Sequence, residues 1–200
     1  MGKYKKCSVV VLGTPGVGKT SLITRMLFGV FGGKDPGLYP VNETYTRKYH
    51  NQSSEEIEME FLIINKIPRY SEYKVCTPDV FLFVYDPDDW FSVMDLLEMM
   101  TLAKSCHPML SKVPVIIVAN KIDVRDNRDL HGNNVNETEQ ANELKSFCKS
   151  VHMQTSAKTG YNVSNLLRAL INAYVKSAPV KTVEDGAPVL FRCSGHCTQT

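Results

Sequence analysis

Residues 7–20 read Cys-Ser-Val-Val-Val-Leu-Gly-Thr-Pro-Gly-Val-Gly-Lys-Thr, and this stretch decides the fold. Its first six residues form an apolar run that predicts a buried strand, and its last eight fit the phosphate-loop pattern G-x-x-x-x-G-K-[ST]. Gly13, Gly16 and Gly18 let the backbone turn around a phosphate group, and the amides of the loop and of the following helix form an anion site. We therefore expect a strand, a phosphate-binding loop and a helix in succession, rather than a glycine-rich turn that fits by chance.

Individual residues of this loop can be assigned tasks. Lys19 is expected to bridge the terminal phosphates as a point charge, and the Thr20 hydroxyl is expected to ligate Mg²⁺. Pro15 has a fixed φ and no N–H, but we expect phosphate binding to survive, because an N–H at this third loop position need not face the phosphates. The proline ring could, however, obstruct an incoming catalytic arginine. The predicted nucleotide-binding residues of this segment are Gly13, Thr14, Pro15, Gly16, Val17, Gly18, Lys19, Thr20 and Ser21.

A second motif, Asn120-Lys121-Ile122-Asp123, follows another apolar run and fits N-K-x-D, a guanine-reading pattern. The Asp123 carboxylate can accept hydrogen bonds from the N1–H and 2-amino groups of guanine, whereas adenine offers no such pair and leaves a buried carboxylate unpaired. Asn120 is expected to tie this loop to the phosphate loop. Residues 155–158 add a backbone N–H and a lysine stem over the base. The predicted base-binding residues are Asn120, Lys121, Asp123, Ser156, Ala157 and Lys158.

Strand and helix patterns alternate along the chain, which predicts an α/β fold with a mostly parallel central sheet and helices on both faces. The continuous apolar runs at 80–85 and 115–119 are typical of central parallel strands. Between them, residues 88–106 are predicted to be helical, with Phe91, Met94 and Leu97 (or Met94, Leu97 and Leu102) on the apolar side. We expect one domain over residues 1–177 and a flexible tail over residues 178–200.

These motifs, in this order and spacing, resemble the Ras superfamily of small GTPases from about Tyr4 to Lys176. The resemblance implies a P-loop NTPase G domain that binds GTP or GDP with Mg²⁺ and meets effector or regulator proteins in intracellular signalling. It also places Phe31 where the family has an aromatic side chain that packs on the guanine. Two parts of the family pattern, the segments that sense the third phosphate, depart from it in this chain.

The first departure concerns the threonine that ligates Mg²⁺ in the family. When the segment is aligned on Pro40 and Tyr45, that position is occupied by Val41, which has no oxygen to offer. Thr44 is the alternative ligand if the loop shifts. The only metal ligand that the sequence assigns without this ambiguity is therefore Thr20.

The second departure lies after the third strand, where the family has D-x-x-G followed by a glutamine. Asn65 replaces the aspartate, and Pro68 replaces the glycine whose N–H grips the third phosphate. Arg69 stands at the glutamine position and cannot accept a hydrogen bond from an attacking water. No catalytic residue is assigned for this reason, and Arg69 is either a built-in arginine finger or a solvated loop residue. Whether GTP is hydrolysed stays open.

The composition argues against a nucleic-acid-binding, a disulfide-bonded or a membrane-spanning protein. The chain has 23 basic and 21 acidic residues, so net charge gives no attraction to nucleic acid. The cysteines form no CxxC pair, which suits a reducing cytoplasm, and no apolar run is long enough to span a membrane. Cys197 is fourth from the end and Cys193 lies nearby, so lipidation of these two cysteines is an alternative to an unmodified tail. We expect a monomer in the cytoplasm, or at the cytoplasmic face of a membrane if the tail is lipidated.

Two functions from different classes remain. The first is a guanine-nucleotide-binding small GTPase that acts as a signalling switch with weak or partner-dependent hydrolysis. The second is a pseudoGTPase, an interaction module that binds GTP without hydrolysing it or switching. A P-loop kinase or ATPase is disfavoured by the N-K-x-D motif.

Overall fold

The computed structural model describes residues 5–32, 42–50, 55–64, 78–106, 113–127, 144 and 150–177. The predicted tail over residues 178–200 lies outside the described residues, as do both tail cysteines. Within the described ranges, no helix combines the length and the apolar character that a bilayer crossing requires.

The described strands form one six-stranded sheet. They are β1 (Lys5–Leu12), β2 (Asn42–His50), β3 (Glu56–Ile64), β4 (Val80–Tyr85), β5 (Val115–Ala119) and β6 (Val151–Gln154). Their order across the sheet is β2-β3-β1-β4-β5-β6. The pairing of β2 with β3 is antiparallel and every other pairing is parallel. The predicted mostly parallel α/β sheet is thus confirmed.

Helices lie on both faces of this sheet, also as predicted. They are α1 (Lys19–Phe28), α2 (Trp90–Cys106) and α3 (Val163–Ser177), with a 3₁₀ helix at Ile122–Asn127. Because successive strand residues point to opposite faces, Val9 and Val11 pack with α1 and α3, whereas Val10 and Leu12 pack with α2. Every residue of β4 and β5 is buried, which explains their continuous apolar sequence.

The predicted apolar side of α2 is wrong for Phe91 and Met94, whereas the predicted Leu97 and Leu102 are partly buried against the core cluster. Phe91 is 77% exposed and Met94 is 47% exposed. The helix instead packs on the sheet through its other side, whose buried members are Val93, Leu96, Met99, Met100 and Ala103. The helix carries apolar residues around most of its circumference, so periodicity alone cannot select the face that the sheet covers.

A buried tyrosine fastens the last helix to the first strand. The Tyr174 hydroxyl donates a hydrogen bond of 3.0 Å to the Lys6 carbonyl oxygen. Burial, with a smaller contribution from the nearby Asp79 carboxylate, raises the pKa of Tyr174 to about 12. The phenol therefore stays protonated, and able to donate, throughout the neutral range. Burial likewise raises the pKa of the Cys7 thiol, which is fully enclosed in the same core cluster.

The two sides of α2 can be compared by mutation. Leu96→Ala should lower the free energy of unfolding by ~2–5 kcal/mol, because it leaves a cavity under β4 and β5. Met94→Ala on the outer side should change it by no more than ~0.5 kcal/mol. Urea unfolding followed by circular dichroism measures both values. Similar losses for the two variants would contradict the observed packing.

Candidate functional site

Four loops meet at one edge of the sheet. They follow the carboxyl ends of β1, β4, β5 and β6, and they begin at Gly13, Asp86, Asn120 and Thr155. Parallel α/β sheets bind ligands at this edge, because the strand ends leave a crevice there. The structure therefore brings both sequence motifs to the place where the sheet architecture allows a site.

The phosphate loop needs glycine at two positions for different reasons. Gly13 has a φ of +152°, and a Cβ there would overlap the Val84 carbonyl oxygen on the neighbouring strand. Gly18 has a φ of +89°, and a Cβ there would lie 2.6 Å from the side-chain nitrogen of Asn120. The loop is consequently fixed against β4 at its start and against the N-K-x-D motif at its end.

Lys19 lies across the loop that precedes it. Its side chain is almost completely buried, and its Nζ donates hydrogen bonds of 2.9 Å to the carbonyl oxygens of both Gly13 and Thr14. The two carbonyl oxygens hold the buried Lys19 Nζ at the mouth of the loop. This position suits a group that faces phosphate oxygens.

The hydroxyl groups near the loop differ in their surroundings. Thr14 Oγ1 is buried without a hydrogen-bond partner among the described residues, so the loop holds a polar atom that a ligand can satisfy. Thr20 is the second residue of α1, directly after Lys19, and is partly buried, as is Ser21, which follows it. Both therefore stand at the positive end of the α1 dipole.

Thr44, the alternative metal ligand, lies within β2 opposite Leu62 of β3 and is exposed. Its neighbour Tyr45 packs on the core cluster that includes α1, so Thr44 points to the opposite face of the sheet. The structure does not bring Thr44 to Thr20. Within the described ranges there is also no group of three or more His, Cys, Asp or Glu side chains arranged to hold a metal ion. A single hydroxyl fits Mg²⁺ only if phosphate oxygens and waters complete the coordination, as is usual for nucleotide-bound Mg²⁺.

Asn120 is a fully buried side chain that joins the loops. Its Nδ2 donates to the Val17 carbonyl oxygen at 3.0 Å. Its Oδ1 accepts from the Thr155 hydroxyl at 3.2 Å and from the Ala157 N–H at 3.1 Å. Its backbone N–H donates to the Tyr85 carbonyl oxygen at 2.9 Å. The expected tie between the N-K-x-D motif and the phosphate loop is present.

Asp123 is held by residues of the Ser-Ala-Lys segment. The Ser156 hydroxyl donates to Asp123 Oδ1 at 2.5 Å, and Lys158 Nζ lies 3.9 Å from Asp123 Oδ2. A carboxylate has about four lone-pair sites, so these two neighbours leave it able to accept further hydrogen bonds. The structure thus brings the predicted base-binding residues of the two segments together.

Asp86 also lies at this site, although neither sequence motif predicts it. Lys121, which has a φ of +67°, places its Nζ 3.0 Å from Asp86 Oδ2. Asp86 Oδ1 accepts the N–H of Asp88, and the Asp86 N–H donates to the Ser92 hydroxyl. The sequence did contain an indication of this position, because Asp86 directly follows an apolar strand, just as Asn120 does. Lys121 is a non-glycine residue in the left-handed region, so this ion pair helps to hold a strained conformation.

Other predicted site residues are less engaged or fall outside the described ranges. Phe31 is 47% exposed, just beyond the Gly29 cap of α1. Arg25 connects this end of α1 to the Ser-Ala-Lys loop, because its guanidinium donates to the Gly29 carbonyl at 2.7 Å and reaches the Thr159 carbonyl at 3.5 Å. The positions that depart from the family pattern, Val41, Asn65, Pro68 and Arg69, lie outside the described residues.

Comparison with known families shows the family to which this fold belongs. The model of the Ras family matches residues 8–176, which include both motifs and all six strands except the first residues of β1. The chain belongs to the Ras family. The resemblance to small GTPases inferred from the motifs is therefore confirmed.

The curated relatives of this Ras-family chain are distant. It is 26% identical over 166 residues to the GTP-binding protein Di-Ras1 of Mus musculus, covering 82% of this chain and 79% of the relative. It is 25% identical to Di-Ras2 of the same species with the same coverage. It is also 28% identical over 200 residues to the GTPase Der of Aquifex aeolicus, where the match covers 92% of this chain and 40% of Der.

The Asp86–Lys121 ion pair can be tested by removing one charge. Asp86→Asn keeps an acceptor for the Asp88 N–H but weakens the hold on Lys121. We expect fluorescently labelled GDP to dissociate about two- to fivefold faster, as for the loss of ~0.5–1 kcal/mol. Asp88→Asn is the matched control, because it removes the same charge two residues away. Equal dissociation rates in both variants would contradict a positioning role for Asp86.

Proposed function

We propose that this Ras-family chain is a guanine-nucleotide-binding small GTPase that acts in intracellular signalling, with weak or partner-dependent hydrolysis of GTP. The observation that carries the proposal is the buried Asn120 side chain, which joins Val17 of the phosphate loop to Thr155 and Ala157. A nucleotide is the ligand class that requires a phosphate site and a base site at one fixed separation. The names of the relatives, a GTP-binding protein and a GTPase, support the same ligand class.

Each part of the nucleotide has a residue suited to it. The loop amides and Lys19 would bind the terminal phosphates, and Thr20 would hold Mg²⁺, which neutralises phosphate charge when bound. Asp123 would accept hydrogen bonds from the guanine edge, and Phe31 and the stem of Lys158 would pack against the base. Burial of Lys19 and the Ser156 bond to Asp123 support these assignments, because both fix a charged group before binding.

The second candidate is a pseudoGTPase that binds GTP and neither hydrolyses it nor switches. The residue types at four positions of the sequence favour it: Val41, Asn65, Pro68 and Arg69. Valine has no ligand oxygen, proline has no N–H for a phosphate, and arginine cannot accept a hydrogen bond from water. A hydrogen bond to a charged group contributes ~1.5–3 kcal/mol, so its loss at Pro68 would weaken the response to the third phosphate.

The remaining parts of the proposal concern partners and location. Residues 1–177 would form the nucleotide-binding unit, a monomer that meets effector or regulator proteins. Residues 178–200 would form a tail, and lipidation of Cys193 and Cys197 would bring the protein to the cytoplasmic face of a membrane. Two lipid chains give far more stable anchoring than one.

The first experiment separates the two candidates. The purified full chain is loaded with GTP and Mg²⁺, and the bound nucleotide is analysed by chromatography over several hours. Conversion to GDP, absent in a parallel sample of Lys19→Ala, supports a working GTPase. GTP that persists in the bound fraction supports the pseudoGTPase, and failure to retain any guanine nucleotide contradicts both.

Base recognition is tested at Asp123. The chain should bind GTP in preference to ITP, which lacks the 2-amino group, and should reject ATP by a factor that can approach ~10⁴. Asp123→Ala should lose both preferences, because it removes the acceptor for the guanine edge. Competition titrations against labelled GDP measure the three affinities.

A Lys158→Ala variant provides the comparison for this test, since it alters packing near the base without removing that acceptor. It should bind less tightly but keep the order GTP, ITP, ATP. Tight and selective GTP binding in Asp123→Ala would overturn the proposed role of this carboxylate.

A further inference from the structure

The start of α2 exposes a group of large apolar side chains. Trp90 is 48% exposed, and it adjoins the exposed Phe91 and Met94. Residues three and four apart on a helix are surface neighbours, so Met94 lies beside both aromatic residues. We call Trp90, Phe91 and Met94 the α2 apolar surface.

The core does not require this surface. The opposite side of α2 supplies the residues that pack on β4 and β5, and Leu97 at the boundary is partly buried against the same cluster. An apolar stripe on the outer side of a surface helix is the exception in soluble domains. Tryptophan, phenylalanine and methionine are also the residue types enriched at protein interfaces. Trp90 is the only tryptophan in the chain.

The charged residues within 86–103, the described segment that carries the α2 apolar surface, have one sign. Asp88 and Asp89 precede it, and Asp95 and Glu98 lie among and beyond its members on the helix. The side chains of Asp88, Asp89 and Glu98 are exposed, and that of Asp95 is partly exposed. The sequence from 86 to 103 contains no lysine, arginine or histidine, although the whole chain has 23 basic and 21 acidic residues. The surface is therefore an apolar centre with an acidic border.

We propose that the α2 apolar surface is a docking site for a cationic amphipathic helix of a partner protein. Apolar residues spaced along one face of such a helix would cover Trp90, Phe91 and Met94, in the manner of helices that bind through i, i+3 and i+4 anchors. Its lysine or arginine residues would meet Asp95 and Glu98 at the border. This interaction goes beyond the proposed nucleotide chemistry and does not depend on hydrolysis.

The acidic border argues against the other occupants. An anionic membrane or a nucleic acid would be repelled by it. A second copy of the chain in a symmetric dimer would place the same acidic residues against each other, which is unfavourable. A cationic helix is the occupant that gains from both the apolar centre and the border.

The single tryptophan makes the test direct. The full chain is titrated with a synthetic helix-forming peptide of about 18 leucine and lysine residues, arranged with the leucines on one face. Burial of Trp90 should shift its fluorescence to shorter wavelength in a saturable manner. A peptide of the same composition with a scrambled order should bind at least about tenfold more weakly, and so should a peptide with glutamate in place of lysine.

Substitutions in the α2 apolar surface and its acidic border test whether the cationic peptide binds there. Phe91→Ser and the double variant Asp95→Asn, Glu98→Gln should each weaken the cationic peptide about tenfold, and the second should also lose most of the salt dependence. Val175→Ser is the control, because Val175 is also an exposed apolar helix residue but lies on α3. Circular dichroism confirms that each variant folds.

Three outcomes would overturn the proposal. The first is a cationic peptide that binds the Phe91→Ser variant as tightly as it binds the original chain. The second is a fluorescence shift with phosphatidylcholine–phosphatidylserine vesicles that exceeds the shift with the peptide. The third is a concentration-dependent dimer in sedimentation that Phe91→Ser abolishes, which would assign the surface to a second copy.

Discussion

The buried amide of Asn120 is the interaction on which the rest of the site depends. Its nitrogen donates to the carbonyl oxygen of Val17, and its oxygen accepts from the donors of Thr155 and Ala157. The orientation of the amide follows from these partners, since a flipped group would oppose like atoms. Leaving a buried polar group unsatisfied costs ~1–3 kcal/mol, so each loop keeps the others in place. The separation of phosphate site and base site is fixed in this way rather than by either loop alone.

Further contacts link the residue after Asn120 to the start of α2. Lys121, next to Asn120, is paired with Asp86, and Asp86 in turn accepts and donates hydrogen bonds at the start of α2. The single O–H of Ser92 is shared between the carbonyl oxygens of Asp86 and Asp89, 2.9 Å and 2.8 Å from its Oγ, which closes the turn between β4 and the helix. The first turn of α2 is therefore connected to the candidate base site through the hydrogen bonds that link Lys121, Asp86 and Ser92. The α2 apolar surface begins at the end of this connection.

The sequence predicted most reliably those features that a single local pattern determines. The bounds of β4 and β5 agree with the apolar runs, because strands buried on both faces leave no ambiguity. The loop and the N-K-x-D motif were found because their chemistry requires particular residues at fixed spacing. The packed side of α2 was predicted only in part: Leu97 and Leu102 pack on the core cluster, but Phe91 and Met94 do not, since the choice depends on which of several apolar sides meets the sheet. Asp86 was missed for a related reason: its role rests on a partner 35 residues away that only the strand order brings near.

The close approach of Gly18 to Asn120 has a consequence for how this sequence can evolve. The space that a Cβ at position 18 would need is filled by the Asn120 amide nitrogen. A larger residue at position 18 would displace that amide and break the hydrogen bonds that unite the loops, and its own backbone would be strained at a φ of +89°. The two positions, about a hundred residues apart in the chain, are bound by epistasis: neither can drift while the other stays fixed.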